Sequence, residues 1–302
     1  MRIEVNRVLP DGSIRIVIPF HICLKGLEKA ILCRDEEDYD MFVKIICLSA
    51  RAKNVIVVIY IVLSNHFHLS VLAASEEDAD ACGQEIKRRY SMWINHKYGD
   101  EGILRRSKIT AQMMTDRWHI RNALAYIPRN ALDNGHNVNT YNWSGYRGMF
   151  CLSGPQGLRP VSSLTRRESR AVFHSADRLD GVKWMLNEKN ELDPFSICDH
   201  AYLEQAFEND QAFFLKTIGA LNVAEVRYDL EEKPFNMVSD SVFYNEVNEL
   251  SMKWFGRSTD NLTVERKYRL LTFCYRSFKT SVSQLARVFR LDREKVRAIL
   301  GV

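Results

Sequence analysis

Hydrophobic positions repeat on two distinct periods along the first half of the chain. Ile14, Ile16, Ile18 and Phe20 alternate with other residues, the period of a strand with one buried face, and the pattern runs on into Phe20-His21-Ile22. The cluster Asp35-Glu36-Glu37-Asp38 then opens a segment in which Met41, Phe42, Ile45 and Ile46 recur at helical spacing, with the carboxylates placed at a positive helix N-terminus. Val55 to Leu63 is a nearly continuous β-branched run, which predicts a central strand buried on both faces. Ser64-Asn65 predicts a tight turn, with His66 to Leu72 returning as an antiparallel partner. Glu76-Glu77-Asp78 starts a long helix reaching Lys97, Lys108 to Met113 reads as a further strand, and Asp116 suits the N-cap of the next helix. The order β-α-β-β-α-β-α predicts an α+β fold: a ferredoxin-like antiparallel sheet with helices on one side, followed by an all-α C-terminal half.

The pattern breaks at Gly145, Gly148, Gly154, Pro155, Gly157 and Pro160, which read as a linker and place the end of the first domain at 155. Residues 156–255 then read as an acidic, helical accessory region. Residues 256–302 read separately: an amphipathic helix over Thr263 to Phe278, a short helix over Ser283 to Phe289, a turn at Leu291-Asp292 and a last helix over Arg293 to Leu300. With Ala286 at the tight crossing and Val296 and Ile299 facing inward, this spacing matches a helix-turn-helix that presents Arg293, Lys295 and Arg297 outward for DNA.

Charge sharpens this division. Net charge is only +4 over 302 residues, but residues 1–170 carry +6, residues 171–252 carry −10 and residues 253–302 carry +8. Phosphate-seeking surface is therefore expected at both ends and not in the middle. A hydrophobic content of 46 % allows a substantial core, and no run approaches the length of a membrane span. The first residues lack the apolar stretch of a secretory signal, and seven cysteines without a Cys-x-x-Cys pair suit reduced thiols. A cytoplasmic protein with no membrane partner is the expectation.

The candidate chemistry centres on Ser64-Asn65-His66-Phe67-His68-Leu69. Two histidines two residues apart at the mouth of a strand share a face, so both imidazoles can grip one metal ion, while Phe67 and Leu69 turn into the core. Tyr126 and Asn130 stand one helical turn apart on a later helix, again on one face. A divalent ion opposite a tyrosine suits phosphodiester chemistry: the ion neutralises the phosphate and the leaving oxygen, and the phenol attacks in line. Mg2+ or Mn2+ are the expected ions. Arg105, Arg106 and Lys108 form a basic turn suited to backbone phosphates, and His21 is a candidate phosphate or base contact or else a satisfied strand residue.

These stretches resemble the single-tyrosine HUH transposases, in particular the REP-associated tyrosine transposases. Phe20 to Gly26 looks like the family's first strand, Asp38 to Phe42 like its first helix, and Ser64 to Leu69 like its metal-binding motif. Leu104-Arg105-Arg106-Ser107-Lys108 resembles a basic turn, Tyr126-Ile127-Pro128-Arg129-Asn130 a catalytic Tyr-Ile-x-x-Asn, and Tyr141 to Arg147 a Trp-Ser-x-Tyr-Arg signature. The resemblance covers residues 10–150, about half the chain. It implies His66 and His68 as metal ligands, Tyr126 as the nucleophile, and Asn130 completing the metal shell or positioning the phosphate. It departs after Asn130, where Ala131-Leu132-Asp133-Asn134-Gly135 replaces the family's Pro and Val-x-Ala-Gly-Leu-like run, and at Pro128 inside the tyrosine helix.

The resulting expectation is a metal-dependent single-stranded DNA endonuclease and strand transferase, working through a 5′-phosphotyrosine at hairpin or palindromic repeat DNA, with a homodimer as a candidate assembly. Its rivals are a catalytically inactive DNA-binding regulator on the same fold, and a hydrolytic metallonuclease in which water replaces the tyrosine.

Overall fold

A computed structural model describes residues 3–25, 31–99, 102, 104, 105, 107–151, 154–221, 240–278, 280 and 282–301. They divide into two compact units, residues 1–221 and 222–302. The acidic region expected over 156–255 is thus shared between the two. None of the described helices is long and apolar enough to cross a membrane.

The first unit is built on β1 (Val5–Val8), β2 (Ile14–Lys25), α1 (Glu36–Ala52), β3 (Ile56–Val62), β4 (Phe67–Ala73), α2 (Glu76–Tyr98), β5 (Lys108–Met113) and α3 (Arg117–Asp133). The strands form one antiparallel sheet ordered β1-β2-β4-β3, with β5 also paired to β2. Helix starts follow local chemistry. Asp35 accepts from Asp38 N to cap α1, Ser75 accepts from Asp78 N to cap α2, and Asp116 accepts from His119 N to cap α3. Gly99 ends α2 in the left-handed conformation, φ +65°, where a glycine is preferred.

The register sorts side chains between the two faces of the sheet. Cys23 pairs with His68 and His21 with Ser70, so these four share one face; Phe20, Ile22, Phe67 and Leu69 occupy the other. Helices α1 and α2 cover the apolar face. Phe42 of α1 packs on Phe67 at 5.2 Å between ring centroids, and Gly83 of α2 lies so close that an added Cβ would stand 2.5 Å from Ile109 Cγ2. Helix α3 lies against the opposite face, where Tyr126 meets His68.

Two expectations need correction. Helices lie on both faces of the sheet, because α3 covers the polar face that α1 and α2 leave open, whereas the pattern predicts them on one side. Val55 to Leu63 reads as a central strand, yet among the described strands β3 pairs with β4 alone and is the last of the ladder. Helices α1 and α3 pack on it, and irregular chain is laid along its outer edge. Ile61 bridges Ser144, Val62 N donates to Trp143 O at 2.9 Å, and Asp199 N donates to Val57 O at 2.8 Å. At the far side, Ala111 N of β5 donates to the Asp80 carboxylate of α2 at 3.2 Å. The strand β1 has no forerunner in the sequence pattern.

Beyond residue 150 the chain returns to the first unit. Helices α4 (Arg166–Phe173), α5 (Pro194–Ile197), α6 (His200–Ala206) and α7 (Gln211–Ala220) follow, and both α6 and α7 pack on α3. Arg121 Nε donates to Ala206 O at 2.6 Å, and Arg129 Nη1 donates to Ile218 O at 2.5 Å.

In the second unit, α8 (Asp240–Phe255), α9 (Val264–Phe278), α10 (Val282–Phe289) and α11 (Arg293–Leu300) share a core of Phe243, Val247, Leu270, Leu271, Leu285, Phe289 and Val296. Ala286 is buried and Ile299 packs against this core, as the spacing predicts. The turn between α10 and α11 carries Arg290 at φ +54°, and Leu291 N donates to Ala286 O.

Candidate metal and tyrosine site

The strand β4 begins directly after His66, so His66 leads into the sheet and His68 lies within it. Their rings meet edge to face, with centroids 5.0 Å apart. Helix α3 brings Tyr126 onto the same cluster, 5.1 Å from the His68 ring and also edge to face. Residues about sixty positions apart in sequence thus converge at one end of the polar sheet face. His68 and Tyr126 are 1 % and 0 % exposed.

The orientation of each histidine is set by its neighbours. His66 Nδ1 stands 2.6 Å from Asn65 Oδ1; an amide oxygen only accepts, so His66 carries its proton on Nδ1 and its lone pair on Nε2. His68 Nδ1 stands 3.2 Å from Nε2 of His21, a contact buried on both sides. The His21 and His68 rings stack at 5.3 Å with 17° between planes. The sequence offered no sign of this role for His21. The contact needs β2 and β4 to be neighbours in a particular register, across 47 residues of chain.

The remaining predicted residues are placed as follows. Asn130 is buried one turn after Tyr126, but its amide nitrogen donates to the carbonyls of Tyr126 at 2.8 Å and Ile127 at 3.4 Å, so that nitrogen is committed to its own helix. Pro128 is accommodated within α3, which runs unbroken from Arg117 to Asp133. Arg105 and Lys108 are exposed, in the turn before β5 and at its first residue; Arg106 lies outside the described residues. Arg293 and Lys295 are exposed on α11, whereas Arg297 is half-buried and pairs with Glu294 at 3.7 Å.

The Trp-Ser-x-Tyr-Arg stretch serves the edge of β3. Tyr141 donates its hydroxyl to Val62 O at 2.8 Å, and burial, the largest cause, pushes its phenol pKa up. Trp143 stacks on Tyr39 of α1 at 5.4 Å, and Arg147 bonds Asn142 at 3.0 Å. Lys87 of α2 donates to Ser107 O at 2.6 Å, while Arg88 and Arg89 pair with Glu85.

Among the described residues no group of three or more His, Cys, Asp or Glu side chains could hold a metal ion. A metal would therefore rest on two imidazoles, with oxygen ligands from elsewhere filling its other positions. The donor chemistry suits such an open site, because imidazole nitrogens bind first-row divalent ions and each ring has its Nδ1 engaged.

No protein-family model matches the chain, and no curated protein matches it. Among solved structures it is distantly similar to a REP-associated tyrosine transposase bound to a REP hairpin, with 17 % identity, 54 % of this chain and 87 % of that chain covered, and a TM-score of 0.36.

Proposed function

We propose that the chain is a metal-dependent single-stranded DNA endonuclease and strand transferase whose nucleophile is Tyr126. The observation that carries this reading is the convergence of Tyr126 from α3 on the His66-x-His68 pair at the start of β4. In the reaction, Tyr126 Oη attacks a backbone phosphorus and loses its proton. A P–Oη bond forms, the P–O3′ bond breaks, and the departing 3′ oxygen takes up a proton as a hydroxyl. The product is a 5′-phosphotyrosine that retains the phosphodiester's energy, so a second 3′ hydroxyl can resolve it without ATP. A Mg2+ or Mn2+ ion held by His66 and His68 would neutralise the phosphate and the leaving oxygen. A tyrosine has an ordinary pKa of about 10 and needs a nearby cation to ionise at neutral pH. Single-stranded or hairpin DNA suits the reaction because in-line attack needs a phosphate released from duplex geometry. Arg105, Arg106 and Lys108 would contact its backbone, and Arg293, Lys295 and Arg297 would add target affinity.

A second reading is favoured by two observations. Tyr126 is 0 % exposed and the Asn130 amide is bound to its own helix, as suits a DNA-binding protein that keeps the fold without catalysis. The deciding experiment incubates the protein with a pooled library of single-stranded stem-loops and Mg2+ or Mn2+. Adducts that survive boiling in SDS, form with wild type but not Tyr126→Phe, and vanish with chelator are expected. Hairpin binding by both proteins with no adduct selects the second reading, and cutting by Tyr126→Phe that requires His66 selects water as the nucleophile.

A further inference from the structure

We propose that His21 is a positioning residue for the metal site: it accepts a hydrogen bond from His68 Nδ1–H and so holds His68 with its lone pair on Nε2, the nitrogen that ligates. The inference rests on the metal-dependent reading above and adds to it a residue that the motif does not contain.

The argument starts from the pairing of two buried imidazoles. His21 Nε2 and His68 Nδ1 are 3.2 Å apart, and the two residues are 0 % and 1 % exposed. A hydrogen bond between two ring nitrogens needs one donor and one acceptor, so a single proton lies in this contact. Only two neutral arrangements satisfy it. If His68 Nδ1–H donates, His68 has its lone pair at Nε2 and His21 carries its proton on Nδ1. If His21 Nε2–H donates, His68 must carry its proton on Nε2 and cannot ligate through that atom. The proton position in this contact therefore decides whether His68 is a ligand.

The companion histidine shows which arrangement the site is built for. His66 Nδ1 is held by Asn65 Oδ1, an acceptor, which leaves His66 in the Nε2-ligating tautomer. With His21 as acceptor, His68 takes the same tautomer, and both rings offer the same nitrogen. A ligating histidine ordinarily donates its other N–H to a fixed partner, and such partners are worth roughly 10- to 100-fold in metal affinity. The sheet makes His21 rigid in this role. It sits in the middle of β2, opposite Ser70 of β4 on one side and Gln112 of β5 on the other, with its neighbours Phe20 and Ile22 wholly buried.

The test compares the full-length wild type with His21→Phe, His21→Gln and His68→Gln. Phenylalanine keeps the ring and removes the acceptor, whereas the glutamine amide oxygen can take the place of Nε2. Long-range 1H–15N spectra of 15N-histidine protein, with His68 assigned by its loss in His68→Gln, report the tautomer without metal. The expected result is an unprotonated His68 Nε2 in wild type and in His21→Gln, and loss of that tautomer in His21→Phe. Mn2+ titration followed by EPR should show affinity falling about 10- to 100-fold in His21→Phe and staying close to wild type in His21→Gln. A proton on His68 Nε2 in the wild type, or Mn2+ affinity unchanged in a folded His21→Phe, overturns this role while leaving the metal-dependent reading intact. A wild type that binds no Mn2+ overturns both. Should His21→Phe not fold, the wild-type tautomer and the affinity of His21→Gln still decide: Gln binding as weakly as His68→Gln refutes the acceptor role.

Discussion

Gly148→Ala should destabilise the first unit sharply. Gly148 ends the short 3-10 turn Gly145–Gly148 and is buried against the start of α5. A Cβ there would lie 2.5 Å from Phe195 N, 2.6 Å from Pro194 C and 2.7 Å from Phe195 Cα. All three are main-chain atoms, so no side-chain rotation relieves the overlap, and either the turn or α5 has to move. Overpacking costs roughly 1–3 kcal/mol, and a clash with backbone belongs near the upper end, about 3 kcal/mol. At about 2–4 °C per kcal/mol for a unit of this size, the melting temperature should fall by roughly 6–12 °C. Gly219→Ala is the control: Gly219 lies in α7 with nothing within 4 Å of the place a Cβ would take, and alanine there should gain about 0.5–1 kcal/mol from helix propensity. Calorimetry of the full chain, with circular dichroism at about 222 nm to follow the helices, reads both changes. A Gly148→Ala melting temperature matching wild type would refute the packing of α5 on this turn, and with it the closure of residues beyond 155 onto the sheet.

Tyr126→Phe should abolish SDS-stable adducts yet bind hairpin DNA as tightly as wild type, measured by fluorescence anisotropy; a parallel loss of binding would mean the phenol acts in recognition instead. Glu85 tests the acid limb of stability. Hydrogen bonds from Arg88, and against the push of burial from Arg89, hold its carboxyl at about 2 instead of the ordinary 4.5. The folded state resists protonation, so this contribution is complete above the ordinary value and lost as pH falls from there toward about 2. Glu85→Gln should lower the urea midpoint at neutral pH and flatten its fall across that window; an unchanged acid limb would discount the pairing. Lys295→Ala should weaken DNA binding for every sequence and reduce the slope of log affinity against log salt by about 1, whereas an unchanged slope removes α11 from the interface.

How much of this was legible in the sequence depended on how local the cause was. Asp35, Ser75 and Asp116 cap helices through bonds to residues three positions on, and α1, α2 and α3 begin where those side chains stand. The strand β5 and the three closing helices likewise announce themselves by period and turn residues. What escaped depends on distant chain. The apolar run of β3 shows burial on both faces but not that Trp143, Ser144 and Asp199 supply the cover at its edge. β1 is a four-residue strand with alternate exposure, too short to carry a period. The acidic composition of 199–220 hides that α6 and α7 brace α3 through Arg121 and Arg129. At the site, His66-x-His68 stands out by type and spacing and Tyr126 through the motif that carries the family resemblance, whereas His21 matters only because β2 and β4 are neighbours.

The outer edges of β3 and β5 are occupied by different means, and that governs how these strands can meet other chains. An edge strand with bare N–H and C=O groups invites another strand to add to it. On β3, Val62 N and Val57 O are already taken by Trp143 and Asp199; on β5, Ala111 N is taken by the Asp80 carboxylate. Growth of the sheet by strand addition is therefore resisted at these positions of β3 and β5, and a second chain meeting either strand there would have to do so through side-chain surfaces.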